Sequence, residues 1–310
     1  MDRYLTYSSF LKEQFGGKVY KICLNGGFTC PNRDGSLSTL GCLFCSEGGS
    51  GDFGEDPSLS VSDQIIAGKK QTSDKYHGNR YIAYFQAFTN TYGPVEKLNR
   101  LYREALASDE VLGLAIATRP DCLPHEVLEL LRDLNRIKPV FIELGLQTCH
   151  DETARRMNRG YETKVFTDAA SRCGALGLRV TAHVILGLPG EDTAMMYETI
   201  SYLNSLPVKG IKLSMLHILK NSPLAQIYEK EPFHVFTLEE YVDLVISCIE
   251  RLRPDMVIER ITGDGPKRLL IAPSWSGNKR LVLNTIHQEM RRRDSWQGKE
   301  LSTSVGVPRF

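Results

Sequence analysis

Three cysteines, Cys30, Cys42 and Cys45, fall in one glycine-rich stretch: Gly26-Gly27-Phe28-Thr29-Cys30-Pro31-Asn32-Arg33-Asp34-Gly35, then Gly41-Cys42-Leu43-Phe44-Cys45. Thiolate is a soft ligand suited to iron–sulfur or zinc sites, and a C-x-x-C pair offers two sulfurs from one tight turn. Three thiolates on a four-iron cluster leave one iron open to an exchangeable ligand. The competing reading is structural zinc, with Cys23 completing a closed tetrahedral site. Cys23 sits inside an apolar run and reads better as a small packed hydrophobe. Cys173 and Cys248 lie on helical patterns and read as core, while Cys122 and Cys149 lie at strand ends, where thiol chemistry stays open. Eight cysteines in 310 residues do not resemble the disulfide framework of short exported domains.

The elements that must position these groups alternate. Short β-branched or aromatic runs at 19–24, 80–86, 111–118, 140–147, 179–186 and 210–216 are separated by helical patterns, the mark of βαβ units and a parallel sheet. Helices are predicted at 62–75, 95–108, 164–176 and 193–206. Between the third and fourth strands Val127, Leu131 and Leu134 put one apolar stripe against the sheet, and Lys138-Pro139 ends that helix. Past Ser222-Pro223 the pattern changes to a helix at 238–251, with Thr237 and Glu240 as a capping box, a strand at 256–261 and a helix at 279–293. The expected division is a core over 1–225 and a C-terminal α/β extension, 226–310, packed on it. In such folds chemistry gathers at the carboxyl ends of the strands, here 25–45, 86–92, 118–122, 147–150, 187–191 and 217–221.

The 42% hydrophobic share supports a substantial core, and a net charge of +1 argues against a strongly electrostatic partner, leaving local runs such as Lys69-Lys70, Arg155-Arg156 and Arg291-Arg292-Arg293 as solvated faces or a modest patch. Residues 1–17 show no apolar leader segment, and no later run reaches the roughly 18 apolar residues of a spanning helix. A soluble cytoplasmic protein is expected.

The cysteine loop, together with Tyr84-Phe85-Gln86-Ala87-Phe88-Thr89-Asn90-Thr91-Tyr92, Ala117-Thr118-Arg119-Pro120-Asp121, Glu143-Leu144-Gly145-Leu146-Gln147, Met157-Asn158-Arg159-Gly160 and His183-Val184-Ile185-Leu186-Gly187-Leu188-Pro189-Gly190-Glu191, resembles the YhcC/YtqA group of radical S-adenosylmethionine (SAM) proteins. That group is similar to the radical SAM part of the Elongator catalytic subunit. The resemblance implies a partial (β/α)6 barrel and a 4Fe-4S cluster held by Cys30, Cys42 and Cys45. SAM on the open iron would be cleaved to a 5′-deoxyadenosyl radical, with an external electron donor of the flavodoxin or ferredoxin type. Eleven residues separate Cys30 from Cys42, where the wider superfamily has three, and Gln86-Ala87-Phe88 replaces the usual Gly-Gly-Glu.

Carried over residue by residue, the resemblance assigns SAM binding to Phe44, Gln86, Thr118, Arg119, Gln147, His183, Gly187 and Gly190. The two glycines would let the backbone approach adenine without a Cβ clash. Lys212, His217 and Arg159 are the catalytic candidates, and Lys220, Glu259-Arg260 and Thr262-Gly263-Asp264-Gly265 are expected to close the substrate side. The implied substrate is tRNA, whose 5-carboxymethylaminomethyluridine would be converted to 5-aminomethyluridine. A small-metabolite substrate and a non-catalytic zinc-binding protein are the alternatives.

Overall fold

The computed structural model describes residues 2–49, 51, 54–74, 76–263 and 265–302. Apolar runs with no polar alternation suit strands covered on both faces, as in parallel sheets. Seven of them form one all-parallel sheet: β1 (Tyr20–Leu24), β2 (Tyr81–Phe85), β3 (Val111–Thr118), β4 (Val140–Gln147), β5 (Arg179–Leu186), β6 (Gly210–Met215) and β8 (Val257–Arg260), neighbours in that order. Between β6 and β8 in sequence, β7 (Ile218–Leu219) pairs antiparallel with β9 (Leu270–Ala272) as a separate ribbon. The sheet curls into a partial barrel, as expected, with a seventh strand supplied by the C-terminal segment.

The helices are α1 (Tyr7–Phe15), α2 (Val61–Thr72), α3 (Val95–Leu106), α4 (His125–Asn135), α5 (Asp151–Arg156), α6 (Thr163–Ala175), α7 (Thr193–Asn204), α8 (Pro223–Lys230), α9 (Leu238–Arg251), α10 (Lys279–Arg292) and α11 (Lys299–Ser302). Most cross the outside of the sheet, burying Leu98, Tyr102, Leu131, Phe166 and Ile200 against Leu24, Phe85, Ile116 and Val184. Before α9 the Thr237 hydroxyl accepts from Glu240 N while the Glu240 carboxylate accepts from Thr237 N, the predicted capping box. Residue 75, where the second helix was expected to end, and Asp264 lie outside the described residues.

Helix α1 does not lie on the outside. Phe10 and Phe15 pack on Ile82, Tyr84, Ala115 and Phe141, with the Phe10 ring edge-on to Phe141 at 6.2 Å. These partners face the barrel interior, so α1 plugs the end remote from the strand carboxyl termini. Just before it, Thr6 bridges Ile258 of β8, and Ile258 N donates to Leu5 O at 2.9 Å.

Candidate active site

The carboxyl ends of the strands surround a cavity of ≈270 Å³. All three thiols of the cysteine loop line it, with Phe44, Gln86, Thr118, Arg119, Gln147, His183 and His217. The loop is built by its own polar residues. Asn32 Nδ2 donates to Asn158 O at 2.6 Å, Asn158 Nδ2 returns to Gly41 O at 2.7 Å, and Arg33 Nη2 reaches Ser46 O at 2.6 Å. The Met157-Asn158-Arg159-Gly160 turn therefore serves as the mould of the cysteine loop.

The thiols sit in an electropositive setting. Cys42 is lowered to about 7, first by a hydrogen bond from Cys45 and then by Arg119, Asn32 and Arg33; Cys45, as the donor, is held well above its usual value. A thiolate-stabilising surround is what an iron–sulfur or zinc site needs. Among the described residues no three His, Cys, Asp or Glu side chains converge on a single-ion site, whereas three thiols lining one cavity suit a cluster. Cys23 is turned away from them, its thiol donating to Gln86 Oε1 at 3.3 Å, so the fourth ligand of the zinc alternative is not at hand. The donor set fits a cluster.

Beneath the thiols lies a buried ion network that the sequence reading missed. Glu143, at the middle of β4, is fully buried and accepts from Lys21 of β1 (2.7 Å), Tyr84 Oη of β2 (2.7 Å) and Lys212 of β6, while His183 Nε2 of β5 lies 2.9 Å from it. Burial alone would raise the Glu143 carboxyl, but Lys21 and Lys212 hold it well below the usual carboxylate range. The Lys212 ammonium is lowered to about 8 by burial. Lys212 is therefore a structural cation under the floor rather than a group facing substrate. Arg159 is likewise spent internally: it is 1% exposed and donates to Leu146 O, Thr148 O, Tyr161 O, Asp151 and Thr163, clamping the loop after β4. Arg159 has acceptors for every guanidinium nitrogen, and Lys212, which does not line the cavity, is engaged by Glu143 and the Tyr84 hydroxyl, so neither is placed for the catalytic role expected of it.

The other predicted groups divide. Arg119 lines the cavity, with Nε and Nη2 bidentate on Asp121 at 2.9 and 2.7 Å and its guanidinium 4.8 Å over the Tyr161 ring. The Thr118 hydroxyl is shared with Thr91 at 2.5 Å. Gln147 takes a left-handed backbone, φ +61°, at a bulge in the β4–β5 register, a strained geometry that clusters at functional sites. Gly187 (φ +86°) and Gly190 (φ +83°) are turn glycines as expected, yet neither lines the cavity: a Cβ on Gly187 would meet the Phe236 ring at 2.8 Å, and one on Gly190 the Arg156 guanidinium at 2.5 Å. The cavity touches that segment one turn earlier, at His183, Val184 and Ile185. Lys220 is exposed beyond the rim, while Arg260, Gly263 and Gly265 form the wall.

His217 stands on that wall with its Nε2 buried and without a hydrogen-bond partner. Burial first, then Lys279 and Arg260, lower its pKa to about 4, so the imidazole is neutral. Tyr84, Glu143, Tyr161 and Phe88 are among the lining residues to which the sequence assigned no role. A charged Glu at the centre of an apolar strand was the visible signal for the first two.

A curled parallel sheet with thiols, a neutral imidazole and a guanidinium gathered at its carboxyl edge defines a barrel enzyme with cofactor chemistry at the strand ends. The chain belongs to the radical SAM superfamily: the Radical SAM superfamily pattern matches residues 35–203, and the Radical_SAM C-terminal domain matches 208–292. It is 45% identical over 297 residues to the uncharacterized protein YtqA of Bacillus subtilis, covering 96% of this chain and 92% of that one. A more distant relative is the tRNA uridine(34) acetyltransferase of Methanocaldococcus jannaschii, 25% identical over 170 residues, 53% of this chain and 30% of that one. Among solved structures, the archaeal Elp3 of Methanocaldococcus infernus superposes with a TM-score of 0.68 at 15% identity, covering 93% of this chain and 68% of that one, a likeness of fold. The superfamily's cofactors, a 4Fe-4S cluster and SAM, are therefore those of this chain. No helix among the described residues is long and apolar enough to cross a membrane.

Proposed function

We propose that this radical SAM enzyme acts on tRNA, converting wobble 5-carboxymethylaminomethyluridine to 5-aminomethyluridine. The N–CH2 bond to the carboxymethyl group is broken by oxidation and hydrolysis, SAM being the two-electron oxidant that ends as methionine and 5′-deoxyadenosine, water supplying the oxygen, and the carboxymethyl carbons leaving as glyoxylate. Cys30, Cys42 and Cys45 would hold the cluster, and a hydrogen bond from Cys45, then Arg119, Asn32 and Arg33, favour the Cys42 thiolate. When bound, the cluster and SAM supply a 5′-deoxyadenosyl radical. The protein supplies the rest. Phe44 and Ile185 offer apolar walls for the adenosyl group, while Gln86 and Gln147 offer amide groups for its polar edge. Arg260, on the cavity wall, supplies positive charge for the substrate carboxylate, while Arg119, held by Asp121 and Arg159 O, shapes the wall. His217, neutral and without a partner on Nε2, can donate to or accept from the nucleoside.

The observation that carries the reading is that three thiols and an imidazole with an unpartnered Nε2 line the same cavity. The choice of tRNA is supported by likeness to the tRNA uridine(34) acetyltransferase. The test is to supply the anaerobically reconstituted enzyme with SAM, a competent reductant and tRNA bearing 5-carboxymethylaminomethyluridine, then digest to nucleosides for mass spectrometry. The expected result is 5-aminomethyluridine. If SAM is cleaved while the wobble nucleoside stays unchanged, the tRNA assignment falls and a small-metabolite substrate takes its place.

A further inference from the structure

Acidic and basic residues nearly balance over the chain, 37 against 38, yet residues 262–281 carry Lys267, Arg268, Lys279 and Arg280 against the single acid Asp264. The fold draws a fifth cation to them. Lys220 N donates to Leu269 O at 2.7 Å, which sets Lys220 beside the turn bearing Lys267 and Arg268. A methyl group built on Gly277 would stand 3.8 Å from Lys267 Cγ, so the Lys267 stem runs along the turn that leads into α10. Lys279 is close enough to His217 to lower its pKa. All five side chains are exposed, and Lys220, Lys267, Arg268 and Arg280 form no ion pair among the described residues.

The strip includes the start of α10, which opens on Lys279 and Arg280 with no acid in its first turn, at the end where the helix dipole is positive. Cations crowded at a positive helix end are unfavourable alone and favourable beside a bound anion. The same segment supplies Gly263, Gly265, Pro266 and, across the ribbon, His217 and Leu219 to the cavity wall.

We infer that Lys220, Lys267, Arg268, Lys279 and Arg280 form the surface that grips the phosphate backbone of an RNA substrate, delivering one nucleotide over Gly263 and Gly265 to the cavity. This rests on the tRNA reading above. An acidic redox protein is the other polyanion such a strip could meet. The strip, however, borders the wall formed by His217 and the 263–266 loop, not the 30–45 loop whose thiols an electron donor must approach.

The experiment uses the full chain and fluorescence anisotropy with a labelled tRNA transcript across a salt series. Removing one cation that neutralises a phosphate lowers the log–log salt slope by roughly one. The triple variant Lys267→Ala/Arg268→Ala/Arg280→Ala should bind about tenfold or more weakly near physiological salt, with its slope reduced by about two to three. The control Arg132→Ala/Arg136→Ala, at the C-terminal end of α4, should bind like the parent. A far-UV spectrum checks the fold, and Lys267→Gln/Arg268→Gln replaces the triple if that spectrum changes. Unchanged affinity and slope in a folded variant, beside a parent that binds with salt sensitivity, overturn the surface and leave the tRNA reading standing. Loss of reduction by an acidic donor protein, with tRNA binding intact, reassigns the strip and likewise overturns the inference. A parent with no salt-sensitive tRNA binding defeats the tRNA reading and this surface together.

Discussion

At the scale of single residues the decisive groups are the thiols and the imidazole. Replacing Cys30, Cys42 or Cys45 with alanine should abolish the iron–sulfur absorbance of anaerobically reconstituted protein, because no neighbouring ligand can substitute; Cys23→Ala should keep it, since that thiol is committed to Gln86. Retention of the absorbance in any of the three, or its loss in Cys23→Ala, would refute the ligand set. His217 gives a pH signature. Folded, its imidazole stays neutral down to about 4, whereas the unfolded chain takes up the proton near the ordinary 6.5. Between those values the unfolded state binds more protons, so stability falls as pH drops from 6.5 towards 4, by about 3 kcal/mol from this group alone. Urea unfolding of His217→Gln should show a flatter acid limb than the parent; an identical limb would show that His217 is protonated in the folded state. The cysteine loop was legible because its spacing is local. Glu143 was not singled out, because its meaning depends on Lys21 and Lys212, 122 and 69 residues away. Arg159 and Lys212 looked like open cations for the same reason: sequence shows a charge but not its acceptors.

At the scale of elements, strands β3, β4 and β5 span the residues predicted for them, since the greater part of each run is apolar and buried on both faces. Helix α8 was missed because Ser222-Pro223 reads as a break, whereas here Ser222 caps the helix by accepting from Ala225 N and proline occupies the first turn. α1 was missed because its apolar face meets the barrel interior, and nothing in residues 7–15 announces that partner. The Gly187 turn was correctly read as needing glycine but for a different neighbour. Gly187→Ala should destabilise the fold by about 1–3 kcal/mol, from its positive φ and the Phe236 ring, without disturbing the cluster absorbance. A variant as stable as the parent that binds SAM more weakly would return the turn to the adenine.

At the scale of the whole molecule, Glu143 ties β1, β2, β5 and β6 to its own strand through one carboxylate. Glu143→Gln leaves Lys21 and Lys212 in the barrel without their shared counter-charge, and removing one partner of such a buried set costs about 3–5 kcal/mol. Guanidinium unfolding should show that loss; a change under about 1 kcal/mol would mean that water enters the floor and screens the cations. The seven-stranded sheet has a seam: β1 and β8 share no ladder and meet through the Lys21 ammonium, 3.1 Å from Glu259, and through residues 5–6 laid along β8. Every other joint in the hoop is a row of backbone hydrogen bonds. Radial strain from a bulky guest is therefore released at that one hinge, and amide deuteration should advance from β1 and β8 inward, leaving β4 the last stave to exchange.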